Sequence, residues 1–336
     1  MENFIIFANR FVMVREQKYK AIVHFVEEQI VSGNYRIGDK IPSANSFKIR
    51  FGISRSSVFL ALDELKSRGL IEAEPAIGYY VASDQVKIKE KVLLLFNEFT
   101  AFKENIYNAF MAEIGDAAIV DIVFHNYNRA VFETLLRGAN GKYTSYILMP
   151  GKFTGIEGIL SAVSGHVILA DHFDRKLIGR YSSVGQDFEE DTYRALSTGL
   201  DKIRKYRRII LIQKSEKEPG ERYCGIQRFC SENGFLSMLV PSVDGFEIRK
   251  GDLFITPEDR ELVELLKKTT QMNMTSGMDF GVISYNDDSI KEILDGGIST
   301  LSTDFALMGR TLAGLVKDKS LHTVANPCKL TIRKSI

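Results

Sequence analysis

At 336 residues, 45% of them apolar and 26% charged, the chain is long enough for two or three domains with real cores, and its composition excludes a collagenous or natively unfolded protein. A formal net charge of +1 neither demands nor forbids nucleic acid, and no apolar run approaches the ~18 residues of a membrane-spanning helix. Three cysteines, an odd number without a close pairing motif, exclude a disulfide framework and point to a reducing, cytoplasmic setting.

Residues 1–14 read as an amino-terminal arm. The run Phe4-Ile5-Ile6-Phe7-Ala8 does not make a secretory leader, because Glu2 stands where a basic residue is needed, Arg10 interrupts the run and no small-residue cleavage site follows. The arm is either ordered or an extension ahead of the true start, since Met13 would also open the next helix.

Residues 15–82 read as a first domain. A helix from about Glu16 to Val31 sets Tyr19, Ile22, Val23, Val26 and Ile30 on one face and stops at Gly33. Ser43, behind Pro42, N-caps a short helix to about Arg50, Gly52 permits the positive φ of a tight turn, and Ser54 caps a second helix. On that helix Val58, Ala61, Leu62 and Leu65 fall at i, i+3, i+4 and i+7, leaving Arg55, Ser56, Phe59, Asp63 and Lys66 opposite. Gly69 ends it. Leu70-Ile71-Glu72 and Tyr79-Tyr80-Val81 flank Pro75-Ala76-Ile77-Gly78 as strand, turn and strand.

Helix-turn-helix plus wing is a shape that reads DNA. Arg36, Lys40, Lys48, Arg50, Arg55, Lys66 and Arg68 face only Asp39, Asp63 and Glu64 over residues 36–68, a local excess suited to phosphate. A capped helix start suits phosphate as well, and Arg55 can reach a guanine edge with two hydrogen bonds. The competing reading is a small helical domain whose charged face is only solvated.

Residues 83–90 are a short polar linker. From Lys91 short apolar strands alternate with amphipathic helices. Strands are expected at 92–96, 119–123, 146–149, 167–170, 209–212, 235–240, 252–255 and 281–285. Helices are expected near 103–115, 127–137, 156–163, 190–206, 220–233, 258–269 and 287–295. This order implies parallel sheets with helices on both faces, in two lobes, with a ligand cleft at the carboxyl ends of the strands. Cys224 and Cys230 read as core, and the basic run Lys202, Arg204, Lys205, Arg207, Arg208 as a solvated helix end.

Two resemblances sharpen this. Residues 15–82 resemble the winged helix-turn-helix domain of the GntR family of bacterial transcription regulators. Tyr19, Ile22, Gly33, Gly38-Asp39-Lys40-Ile41-Pro42-Ser43, Phe51-Gly52-Ile53-Ser54-Arg55, Val58, Ala61-Leu62, Leu65, Gly69-Leu70-Ile71 and Gly78 ahead of Val81 carry the match. The family often has arginines where this chain has Asn45 and Phe59, and the usual glycine pair of the wing is reduced to Ala76 and Gly78. The DNA-contacting set implied is Lys40, Ser43, Asn45, Ser54, Arg55, Ser56, Ser57, Phe59 and Gly78. Phe59 either touches a thymine methyl or, with Leu60, packs against a neighbouring domain, the second being favoured.

Residues 91–336 resemble the sugar-binding core of the LacI regulators and related periplasmic sugar-binding proteins. The matches are Val282-Ile283-Ser284-Tyr285-Asn286-Asp287, Asp304-Phe305 with Met308-Gly309 and Ala313, the tail Pro327 to Ser335, and Arg222-Tyr223-Cys224-Gly225. The implied fold class is α/β: an N-terminal winged helix-turn-helix domain plus a two-lobed α/β periplasmic-binding-protein-like (type I) domain with parallel sheets, an architecture known among bacterial arabinose-type repressors. Three crossings between lobes are expected, near Ser183–Gln186, Thr300 and Lys319.

Sugar recognition needs planar polar groups plus an apolar ring. Asn97, Phe99, Phe102, His125, Asp171 and Phe173 stand at strand ends, and the other lobe offers Arg222, Asn286 and Asp287, of which Arg222 and Asp287 sit at the family's binding positions. Each of the rest has an ordinary structural role as its alternative. Thr256-Pro257-Glu258-Asp259 replaces the family's usual asparagine-aspartate pair, which puts sugar hydrogen bonding from that loop in doubt. No metal or cofactor is implied.

The leading reading is a transcription regulator, taken as a repressor, although repression or activation depends on where the operator lies and is not written in the sequence. As a homodimer it reads an imperfect palindrome in double-stranded DNA, and a monosaccharide between the lobes sets its operator affinity. A small-molecule sensor or α/β enzyme without DNA recognition is the alternative. GxGxxG after a strand, GxxxxGK[ST], GxSxG and HExxH are all missing, so no enzyme motif speaks for catalysis.

Overall fold

The computed structural model describes residues 19–75, 77–86, 90–214 and 218–336. The proposed arm 1–14, Ala76 of the wing and part of the linker lie outside the described residues.

In the head, the first helix is described over 19–31 (α1), with Ile22, Val23, Val26 and Ile30 buried. Ser43 caps α2 (Ala44–Phe51) by accepting from Ser46 N at 3.2 Å. Gly52, at φ +62°, turns the chain in the left-handed region that a Cβ would strain. Ser54 accepts from Ser57 N and caps α3 (Arg55–Ser67). A two-stranded antiparallel wing follows, β1 (Ile71–Glu74) and β2 (Gly78–Val81), with Ile71 opposite Val81. Val58, Ala61, Leu62 and Leu65 of α3 are wholly buried with Phe47, Ile41 and Val81, as the 3.6-residue spacing requires.

Beyond the linker come β3 (Glu90–Phe96), α4 (Ala101–Ile114), β4 (Ala118–Phe124), α5 (Arg129–Ala139), β5 (Ser145–Leu148), α6 (Glu157–Ser161), β6 (His166–His172), β7 (Ser182–Gln186), α7 (Phe188–Thr198) and α8 (Leu200–Ile203). The chain continues through β8 (Arg208–Ile212), α9 (Glu221–Asn233), β9 (Leu236–Val240), β10 (Asp252–Thr256), α10 (Asp259–Gln271), β11 (Gly281–Tyr285), α11 (Ser289–Ile293), β12 (Ser299–Thr303), α12 (Phe305–Asp318), β13 (Thr323–Ala325) and β14 (Cys328–Thr331).

Two six-stranded sheets result, ordered β13-β7-β6-β5-β3-β4 and β14-β12-β11-β10-β8-β9. Pairings such as β3 with β4 and β8 with β10 are parallel, and β14 runs antiparallel to β12. The chain divides into two compact units: residues up to Phe99 with Met111–Ile168 and Leu312–Leu321, and Thr100–Phe110 with Leu169–Thr311 and His322–Ile336. In the second unit α9 lies so close to α7 that a Cβ on Gly225 would strike the Glu189 carbonyl, which explains a glycine in that helix.

Several expectations need correction. Ser183–Gln186 and Thr300 lie in β7 and β12, the strands that the chain leaves at its first and second passages between the sheets. The chain passes from one sheet to the other after β7, again between β12 and β13, and a third time at Asn326–Pro327 between β13 and β14, while the compact units change between Leu321 and His322, close to Lys319. β7 and β12 carry Ser and Thr where apolar residues mark most buried strands. In β12 Ser302 Oγ donates to the Thr303 carbonyl and Thr303 Oγ1 to the Pro327 carbonyl. The helix expected over 190–206 is two, broken at Gly199, where a Cβ would meet Leu330. Cys224 is exposed; of the two cysteines read as core only Cys230 is buried.

Candidate DNA interface and effector site

On the head, Lys40, Ser43, Asn45, Ser54, Arg55 and Ser56 are all exposed. They sit at the N-termini of α2 and α3 and on the strand leading into them, because the two serine caps hold those ends open. The Arg55 guanidinium lies 5.5 Å from the centre of the Phe59 ring, and Lys40 Nζ 5.9 Å from that of Tyr80 on the wing. Gly78 allows Lys40 to lie against the wing, since a Cβ there would come within 2.8 Å of Lys40 Cε.

Two residues of the expected DNA set are placed differently. Ser57 is 3% exposed, its Oγ 2.9 Å from Ser54 Oγ, so it completes the cap and does not present itself to a groove. Phe59 is half-buried against the head's own core, which leaves only its edge and the stacked Arg55 outward.

Leu60, expected to share in packing with Phe59, lines an open recess. A recess of about 990 Å³ is lined on the head side by Tyr19, Lys20, Ser56, Leu60 and Glu64. Its other wall is Tyr143, Thr144, residues 161–166 and 318–320. Ser56, Leu60 and Glu64 are four residues apart and form one stripe of α3. Glu64 holds Lys20 at 3.3 Å and Arg68 at 2.9 Å, while Lys319 pairs with Glu90 at 2.6 Å.

His166 in this recess is pushed down to about 4 by burial and by the nearby Lys319 and Lys20, against the opposing pull of Glu90 and Asp318. The unfolded chain would take up that proton near the ordinary value of 6.5, whereas the folded chain waits until about 4. The histidine's contribution is therefore intact above 6.5 and shrinks as pH falls. Between pH 7.5 and 5 the loss should be about 2 kcal/mol. Urea midpoints at those two pH values should fall further for the wild-type chain than for His166→Gln.

Of the expected effector residues, Asn97, Phe99 and His125 belong to the first unit. Asn97 is 3% exposed and its Oδ1 accepts from Glu98 N. Phe99 is largely exposed, edge-on to Phe124 at 5.8 Å. His125 is buried among Tyr127, Phe132 and Phe153, with Nε2 3.0 Å from the Met149 carbonyl.

The second unit holds the rest. Asp171, the last residue but one of β6, has a left-handed backbone at φ +79°. Its Oδ2 accepts from Lys103 Nζ at 2.5 Å and its Oδ1 from Gln186 Nε2 at 2.7 Å. Burial would raise this carboxyl, but Lys103, Gln186 and His172 together hold it below the usual range. Phe173 packs on Gly185, and Phe102 stacks on Phe305 at 5.5 Å.

Arg222, in the first turn of α9, is 6% exposed. Its guanidinium lies 4.3 Å from the Tyr285 ring centre and 4.9 Å from that of Phe188, and Nη1 donates to Glu218. Nε is buried and makes no hydrogen bond. His172 stacks on the same Phe188 ring, 5.6 Å away. Lys103, Gln186, Phe188 and Tyr285 were not singled out from sequence as contacts, because only the fold brings them to the expected residues.

Asn286 follows β11 at φ +63°, held by Lys291 Nζ, which donates to the Tyr285 and Asn286 carbonyls. Asp287 meets a cation from the carboxyl-terminal tail. Both of its oxygens accept from Arg333, at 2.7 and 3.0 Å, and that ion pair outweighs burial to hold its carboxyl low. It anchors the carboxyl-terminal tail to this loop.

A winged helix-turn-helix head precedes two parallel-sheet α/β lobes, a two-module build. Residues 18–81 match the family of bacterial regulatory proteins named gntR, and the head is a GntR-type helix-turn-helix domain. The uncharacterized HTH-type transcriptional regulator YdfD of Bacillus subtilis (strain 168) is 42% identical over 72 residues, covering 21% of this chain and 15% of that protein, so the chain spans only a small part of that relative. A LacI family transcriptional regulator from Silicibacter pomeroyi is similar in structure at 16% identity and a TM-score of 0.62, over 73% of this chain and 98% of that one. A periplasmic binding protein/LacI transcriptional regulator from Alkaliphilus metalliredigens QYMF, complexed with D-xylulofuranose, matches at 11% identity and a TM-score of 0.58, over 73% and 98%. At those identities the likeness shows the fold: the α/β part has the LacI and periplasmic-binding-protein fold. Among the described residues no helix is long and apolar enough to cross a membrane.

Proposed function

We propose that this protein is a sequence-specific DNA-binding transcription regulator, acting as a repressor, whose operator affinity is set by a small sugar bound in its α/β core. The observation that carries this reading is the pair of serine-capped helix starts presenting Lys40, Asn45, Arg55 and Ser56 to solvent in a GntR-type head. Free N–H groups and the helix dipole there receive phosphate, and Arg55 supplies direct readout. The relatives are named as transcriptional regulators, and one neighbour of the core is complexed with a sugar, which supports a non-catalytic, ligand-gated role. The chain acts as a cytoplasmic homodimer on an imperfect palindrome, each head taking one half-site. The domain plan is an arm over 1–14, the head over 15–82, a linker over 83–90 and the effector core over 91–336. The effector set is Asn97, Phe99, Phe102, His125, Asp171, Phe173, Arg222, Asn286 and Asp287.

The test is an electrophoretic mobility assay on DNA from upstream of the chain's own coding region, with and without monosaccharides. A shift is expected that a sugar weakens. Arg55→Ala should reduce affinity ten- to hundredfold, the value of about 1–3 kcal/mol for one bidentate base contact. Retention of full affinity by that variant would contradict the contact, and no shift at low salt would remove the DNA reading altogether.

A further inference from the structure

Resting on the effector reading of the α/β core, we propose that Lys103 is a positioning residue of that site, holding the Asp171 carboxylate in place as an acceptor for the hydroxyls of an uncharged sugar. Lys103 lies in the first turn of α4, and its side chain is 8% exposed against 15% for Asp171. The 2.5 Å contact between them joins residues 68 apart in sequence. Gln186, from β7, takes the other oxygen, and the left-handed backbone at Asp171 sets the direction of the side chain. His172 is the remaining titratable group whose charge acts on this carboxylate.

The ligand class follows from the charge count. A carboxylate already neutralised by a lysine has no attraction left for an ammonium group, and it repels an acidic one. Its spare lone pairs still accept from hydroxyls, and Lys103 can donate to a sugar oxygen. Removing the lysine would leave a buried carboxylate facing only Gln186 and His172. That carboxylate would take up a proton at a higher pH and become a poorer acceptor as it did so.

The experiment is calorimetric titration of the full chain from pH 8 to 5 with neutral pentoses and deoxyhexoses, and with the amino sugars and uronic acids of the same ring size. For the wild type we expect binding by a neutral sugar only, with affinity flat in pH. Lys103→Met should bind it at least tenfold more weakly at pH 8 and weaker still toward pH 5, and Lys103→Arg should restore both affinity and flatness. An unchanged affinity in Lys103→Met, a loss equal at every pH, or preference for an amino sugar or uronic acid would each overturn the proposal while leaving the effector reading intact. Absence of binding by every sugar of the panel would overturn both.

Discussion

Phe47→Ala is expected to unfold the head and abolish operator binding while the α/β core keeps its sugar response. Phe47 is wholly buried on α2, and its ring lies 6.4 Å from Phe25 and 6.2 Å from Phe51. Truncating such a phenylalanine costs about 3–5 kcal/mol through lost burial and the cavity left behind. A module as small as residues 18–81 has a total stability of about the same size, so the loss removes most of it. The surface of the helix it supports would be lost with it, although Phe47 itself touches no DNA in this reading. Calorimetry should show an early transition displaced or absent, a later one unchanged, and no gel shift. A Phe47→Ala chain that still bound operator normally would mean that α2 does not hold α3 in place.

Arg222→Ala should abolish the thermal response to sugar and leave operator binding without sugar nearly unaltered. A ligand at a hundred times its Kd stabilises by about 2.7 kcal/mol, which for a core of this size raises Tm by about 5–10 °C. The guanidinium sits between the Phe188 and Tyr285 rings with one edge on Glu218 and a buried Nε unmatched. Each ring contact is worth about 1–2 kcal/mol when desolvated, so the variant should also melt lower without ligand. That baseline shift is why Arg222→Lys belongs beside it. Lysine keeps the charge but not the planar fork, and should retain a reduced response. A full response in Arg222→Ala would move the effector site away from α9.

Read from sequence alone, the head was nearly complete. Ser43, Gly52, Ser54 and Gly69 act through their nearest neighbours in the chain, and Val58, Ala61, Leu62 and Leu65 announce their face by spacing, so caps, turn and buried stripe could all be placed. The apolar strands of the core were equally visible. β7 and β12 were not, because Ser and Thr stand where apolar residues mark a buried strand, and a partner such as the Pro327 carbonyl for Thr303 Oγ1 comes only with the folded chain. Ser57 looked like part of a basic, hydroxyl-rich helix start, but Ser54 turns it inward.

The effector residues divide the same way. That Asp171, Arg222, Asn286 and Asp287 follow strands or open helices is a local property, and sequence by itself determined it. Which partner each one meets was decided only by the tertiary structure. Lys103 reaches Asp171 from 68 residues away, and Arg333 claims Asp287 from 46. Charge pairing acts over a few ångströms of space and takes no account of distance along the chain. Two aspartates alike in sequence context can therefore be held by a lysine of α4 or by an arginine of the tail, according to which cation the fold brings beside them.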